Sequence, residues 1–142
     1  MGQHEQQPGK MTIPICVDAP QNSIVVVADR GNKRLQTFTM EGQHIGFVTE
    51  DMRLPSNMDQ RGGEIVVADL AGKVTILDKD NKVIAHLGDN TDPKQRGTNK
   101  IPPAEWTAGV FIAPHCPRWD KQGNLYVHEW MLSGRITKLR RV

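Results

Sequence analysis

"VVVADRGNKRLQTF", residues 25–38, is an apolar run closed by an acid, a Gly-Asn turn, and a second run that opens on two cations. That order describes strand, tight turn, strand. Whether it stands alone or is one copy of a repeat decides the fold. It recurs. "SIVVVADRGNKRLQTF" at 23–38 is followed by "EIVVADLAGKVTILD" at 64–78 and by "NLYVHEWMLSGRITKLRRV" at 124–142. Asp29, Asp69 and Glu129 end the first strand of each copy, Arg34, Lys73 and Arg135 open the second, and Leu35, Val74 and Ile136 follow them. The first two acids are 40 residues apart and the next two 60. A polar, Pro-rich insertion at 89–110, most of it "DNTDPKQRGTNKIPPAEW" at 89–106, accounts for the difference.

Each copy has further strand-like flanks. "TIPICVDAP" precedes the first hairpin and "HIGFVTE" follows it, while "RLPSNMDQRG" and "KVIAHLGD" bracket the second. Gly, Asn and Asp in "MEGQ", "RGG", "LAGK", "DKDN" and "KQGN" punctuate them with turn chemistry. Helical periodicity is nearly absent, "PPAEWTAG" being too short to count. Four short antiparallel strands repeating at this spacing describe β-propeller blades, and the fold class is all-β. The innermost strands are "TIPICVD", "LPSNMDQ" and "APHCPRWD". The VVVAD-type strands come next and are continuously apolar because both faces are sandwiched between blades. After a polar N-terminal segment at 1–12, three blades are expected at about 13–50, 54–88 and 111–142.

"VADRGNKRLQTF", with the weaker "VADLAGKVTILDKD" and "PRWDKQGNLYVHEW", resembles the NHL-repeat family of propellers. The third copy departs from the pattern, with His128-Glu129-Trp130 in place of Ala-Asp-Arg. The resemblance implies a six-bladed ring, of which three blades are half. An arc of three leaves an apolar face of blade one and another of blade three open to water. The third copy also ends without an outer strand, for which residues 1–10 are a poor substitute. The expected remedy is a homodimer in which blade one of each copy packs on blade three of the other.

Part of the chain is also similar to propeller lyases that cleave peptidyl-α-hydroxyglycine. That resemblance implies Pro-His motifs on innermost strands around an axial metal, and an arginine at an Asp-Arg strand end that contacts substrate. "IAPHC" matches the first and makes His115 the metal-ligand candidate; "VADRGN" makes Arg30 the arginine candidate. The other two histidine positions do not match. Ile15 follows the proline of the first innermost strand, and Asn57 stands where the second strand would supply a ligand. One histidine per chain is not a catalytic metal site, which takes three protein ligands and an open position. His115, Asn57, Arg30, His128 and Glu129 are therefore ligand or channel-lining candidates, and no catalytic residue is assigned. Tyr126, a conceivable base, reads as core, His86 as outward-facing, and His4 and His44 as solvated.

Composition narrows the classes further. A net charge of +2, with cations clustered only in "KLRRV", does not describe a nucleic-acid binder. No apolar run is long enough to span a bilayer, and "MGQHEQQPGK" has no signal-type stretch, so cytoplasmic is the default location. Cys16 and Cys116 match no metal-ligand spacing and read as buried free thiols rather than a disulfide. The expectation is a binding or scaffold propeller that presents its loops and channel to a small molecule or peptide, without a cofactor. The alternative is a lyase-like enzyme carrying zinc or a similar divalent metal.

Overall fold

The computed structural model describes residues 7–18 and 24–142, and the side chains of 7–14 and 24–142. The first antiparallel sheet is β1 (Pro14–Asp18), β2 (Ile24–Asp29), β3 (Arg34–Thr39) and β4 (His44–Val48), in that order. The second is β5 (Pro55–Arg61), β6 (Glu64–Asp69), β7 (Lys73–Leu77) and β8 (Val83–Leu87). The third has only β9 (Pro114–Trp119), β10 (Leu125–Glu129) and β11 (Arg135–Leu139). Among the described residues, helix is confined to single 3-10 turns at Arg30–Asn32 and Pro103–Glu105, the second inside "PPAEWTAG". No helix among the described residues is long and apolar enough to cross a membrane.

The copies match register for register. Asp29, Asp69 and Glu129 pair with Arg34, Lys73 and Arg135 across the hairpins. The same acids pair with Pro14, Pro55 and Pro114 of the innermost strands, and an irregularity in the ladder adjoins each of those pairs. Three residues beyond each proline, Val17, Met58 and Pro117 pair with Val27, Val67 and Val127.

Side-chain alternation along a strand explains why the middle sheet reads as continuously apolar. Ile65 and Val67 of β6 pack with Val26, Ala28, Leu35 and Val48 of the first sheet. Val66, between them in sequence, packs with Phe111, Leu125 and Val127 on the other side. Each such burial is worth about 1.5–3 kcal/mol, so a strand with two buried faces is worth far more than a half-exposed one. The innermost strands β1, β5 and β9 lie side by side, with β5 in the middle. Between β5 and β9, Trp119 N–H donates to Asp59 Oδ2 at 2.8 Å and Arg118 Nη1 to the Met58 carbonyl at 2.8 Å.

The insertion is a strap rather than a free overhang. Asn90 N–H donates to Gly72 O at 2.7 Å, Gly97 N–H to Ile112 O at 2.8 Å, and Leu132 N–H to Asn99 O at 3.2 Å. Ile101 and Trp106 pack on Leu54, Leu70, Ile112 and Met131. The strap thereby ties the corner loops of the second and third sheets together.

The two ends of the arc differ. On the third sheet, Ile136 is 70 % exposed, whereas Leu35 and Val74 at the same step are fully buried by the sheet that follows them. His128 is likewise exposed where Ala28 and Ala68 are buried. The opposite end corrects the expectation of a wholly open apolar face on blade one. Part of that face is polar, and residues 9–12 roof it. Gly9 N–H donates to Gln36 Oε1 at 3.1 Å, while Arg34 Nη2 and Gln36 Nε2 donate to the Lys10 carbonyl at 3.1 and 2.9 Å. Farther out, Val25 and Phe38 are only half-buried and Phe47 is exposed.

The same segment crosses Gly31 closely. A Cβ there would lie 2.5 Å from the Thr12 carbonyl oxygen, which itself accepts the Gly31 N–H at 2.7 Å. Backbone cannot yield as a flexible side chain does, so Gly31→Ala should destabilise by about 1–3 kcal/mol. A urea midpoint unchanged in that variant would show that the segment does not hold this position.

Candidate functional site

The acid that closes the second strand of each sheet is a corner clamp. Asp29 is buried and accepts from Thr12 N–H at 2.8 Å, Arg34 Nε at 2.8 Å and Gln36 Nε2 at 2.9 Å, with Asn32 Nδ2 donating to both oxygens. Burial raises the pKa of this carboxyl, but the hydrogen bonds from Thr12, Asn32, Arg34 and Gln36 outweigh it and leave the carboxyl below its ordinary 3.8. The resulting stabilisation is complete above that value and is lost as pH falls below it. Asp69 accepts from Arg53 N–H at 2.6 Å, Leu54 N–H at 2.8 Å and Ala71 N–H at 3.1 Å. Glu129 accepts from Ile112 N–H at 2.7 Å, Ala113 N–H at 3.1 Å and Arg135 Nε.

The cation at the start of the third strand completes the clamp in two sheets only. Arg34 and Arg135 ion-pair with their acids. In the second sheet Lys73 is buried, but the bridging guanidinium is that of Arg53, on Asp89 at 2.7 Å. Glu129, expected at the channel, is thus fully buried with both oxygens occupied, and it acts in the corner rather than toward a ligand.

Three of the other candidates come together. His115, on β9, is half-buried, and its pKa is held below the ordinary 6.5 by burial first, then by the charges of His128 and Arg30. Arg30 comes from the turn after β2 and His128 from β10, so the first and third sheets place their groups in one electrostatic neighbourhood. Among the described residues Arg30 has no ion-pair partner.

Asn57 requires a correction. Register aligns Pro14, Pro55 and Pro114 with one another, and Val17, Met58 and Pro117 with one another. Ser56, not Asn57, therefore stands at the step of His115, and Asn57 stands at that of Cys116. Counting from the proline in every copy would have found Ser56. Its buried hydroxyl donates to Ala68 O at 3.0 Å, with the His115 carbonyl at 3.3 Å, and so links the second and third sheets. The half-buried Asn57 turns its Oδ1 to the Met58 N–H at 2.9 Å.

An axial metal does not fit this donor set. Among the described residues no three His, Cys, Asp or Glu are grouped to hold an ion, and the steps equivalent to His115 are Ser56 and, in sequence, Ile15. Tyr126 is half-buried rather than core, with Lys138 Nζ 5.1 Å from its ring centroid. His44 is not solvated. It sits between Phe38 and Phe47, with centroids at 5.3 and 4.5 Å, and its Nε2 is buried without a partner among the described residues. His86 is half-buried, bonded to Thr75 Oγ1 at 3.0 Å and Asp51 Oδ2 at 3.2 Å. Cys116 is free and half-buried; His4 and the Cys16 side chain lie outside the described residues.

No family model matches the chain. Over 70 residues, 49 % of its length, it is 37 % identical to the human E3 ubiquitin-protein ligase TRIM32, and equally to that of Mus musculus. The chain spans about 10 % of the length of these curated relatives. Among solved structures, a Bacteroides caccae protein of unknown function superposes with a TM-score of 0.63 at 11 % identity, over 88 % of this chain and 45 % of that one. Virginiamycin B lyase from Staphylococcus aureus superposes with a TM-score of 0.58 at 12 % identity, over 90 % and 41 %. At such identities the likeness is one of fold: the chain is a propeller-like all-β protein that spans less than half of either structure.

Proposed function

We propose that the chain is a ligand-binding NHL-type propeller module without catalytic chemistry. The mouth of its channel takes an anionic group of a small molecule or peptide, and its ring closes with a second copy of the chain. One observation carries the ligand reading: Arg30 comes within electrostatic reach of the half-buried His115 where the acid beside it in sequence, Asp29, is already consumed by its corner. A guanidinium without an ion-pair partner, beside an imidazole that a proton would turn into a second cation, attracts an anion, and a carboxylate or phosphate supplies the charge-assisted acceptors.

The repeat supports closure. Ile136 and His128 occupy steps that the inner interfaces bury, and His44 stands at the step of Val83, which packs on the preceding sheet. A three-blade arc is half of a six-bladed ring, and a two-fold axis completes it with a single kind of contact made twice.

Calorimetric titration with citrate and with inorganic phosphate, at pH 5.5 and 7.5, tests the ligand reading. A bound anion favours the imidazolium that burial, His128 and Arg30 disfavour in the free protein. Binding should therefore take up a proton and tighten as pH falls. Arg30→Ala and His115→Gln should each weaken it tenfold or more. Failure of both anions to bind, or indifference to both substitutions, overturns the reading. Stoichiometric zinc in the purified protein, lost in His115→Ala, would put the lyase-like reading in its place.

A further inference from the structure

Among the described residues no side chain holds the His115 ring by a hydrogen bond, although Arg30 and His128 lie near enough to disfavour its proton. Groups of like charge do not keep an imidazolium beside them, so the backbone beneath the ring must set its direction. That backbone is irregular. Glu129 pairs with Pro114 and the preceding His128 with Cys116, so His115 is an extra residue without a partner on β10. A bulge of this kind re-aims the side chain of the extra residue. The ring is therefore only as fixed as the bulge.

The neighbouring sheet reaches that bulge. Beyond it, β9 is pinned to β5 where Arg118 Nη1 donates to the Met58 carbonyl and Trp119 N–H to Asp59 Oδ2, both at 2.8 Å. Before it, the Ala113 carbonyl accepts from Trp130 N–H at 2.8 Å. At the bulge itself the contact from β5 is the Ser56 hydroxyl, 3.3 Å from the His115 carbonyl and 3.0 Å from that of Ala68. Its one proton serves both acceptors. Ser56 is fully buried, so solvent does not replace a donor deleted there.

We propose that Ser56 is a positioning residue for the anion site: by anchoring the His115 carbonyl it fixes the bulge on β9 and keeps the imidazole within electrostatic reach of Arg30. The role rests on the reading of Arg30 and His115 as that site. Without the hydroxyl, the His115 carbonyl loses its donor from β5, the bulge relaxes, and the ring turns toward water and away from Arg30. The sheets stay folded, because a single neutral hydrogen bond is lost while Val66, Phe111, Leu125 and Val127 keep their packing.

The test follows the carbon-bound imidazole protons of His115 by NMR across pH, in the full chain without added anion, with the signal identified by its absence from His115→Gln. In Ser56→Ala the midpoint should rise toward the ordinary 6.5, since burial, His128 and Arg30 hold it below that value in the wild type. Citrate affinity at pH 5.5 should fall at least about fivefold. Thr37→Val is the control. It deletes another buried hydroxyl, 3.2 Å from the Gly46 carbonyl in the first sheet, and should leave the midpoint in place. An unmoved midpoint in Ser56→Ala, an equal rise in Thr37→Val, or a Ser56→Ala chain that does not fold would each overturn the proposal. If neither citrate nor phosphate binds the wild type while Ser56→Ala still moves the midpoint, the anion reading falls and the hold of Ser56 on His115 stands.

Discussion

Replacing Glu129 by alanine is expected to undo the third sheet. Its carboxylate satisfies the amides of Ile112 and Ala113 and ion-pairs with Arg135, all within a corner closed to water. Removing one member of a buried pair costs about 3–5 kcal/mol because the other charge is stranded. Each abandoned amide adds roughly 1–3 kcal/mol. That sum rivals the whole stability of an ordinary domain, about 5–15 kcal/mol. Glu129→Gln keeps an acceptor for the amides but loses the charge facing Arg135, so its urea midpoint should fall between wild type and alanine. A Glu129→Ala midpoint within the error of wild type would mean that the corners do not hold the repeat together.

In the proposed ring of two copies, Ile136→Asp should separate them. In a two-fold assembly the contact is made twice, so the substitution buries two unpaired carboxylates. A loss of at least a hundredfold in dimer affinity follows, while the fold persists because Ile136 is already 70 % exposed in the single chain. Light scattering across a hundredfold dilution checks it. Wild type should hold about twice the chain mass, and the variant should fall to the chain mass with unchanged circular dichroism. A wild-type chain that is monomeric and stable at every dilution would refute the closure.

The repeat was legible because it is local. An apolar run, an acid, a turn and a cation lie within fifteen residues, and strand alternation and turn geometry act over that range. Those local rules suffice for three antiparallel units and their strand order. Tertiary structure decided the rest, because packing and pairing between distant segments are not written in any one of them. It buried Glu129 in a corner, roofed part of blade one with residues 9–12, and turned the insertion into a strap. It put Ser56 rather than Asn57 at the step of His115, since register is fixed by cross-strand pairing and an irregularity in the ladder shifts it. And it brought Arg30 within electrostatic reach of His115, 85 residues along the chain, which no spacing along the sequence could reveal.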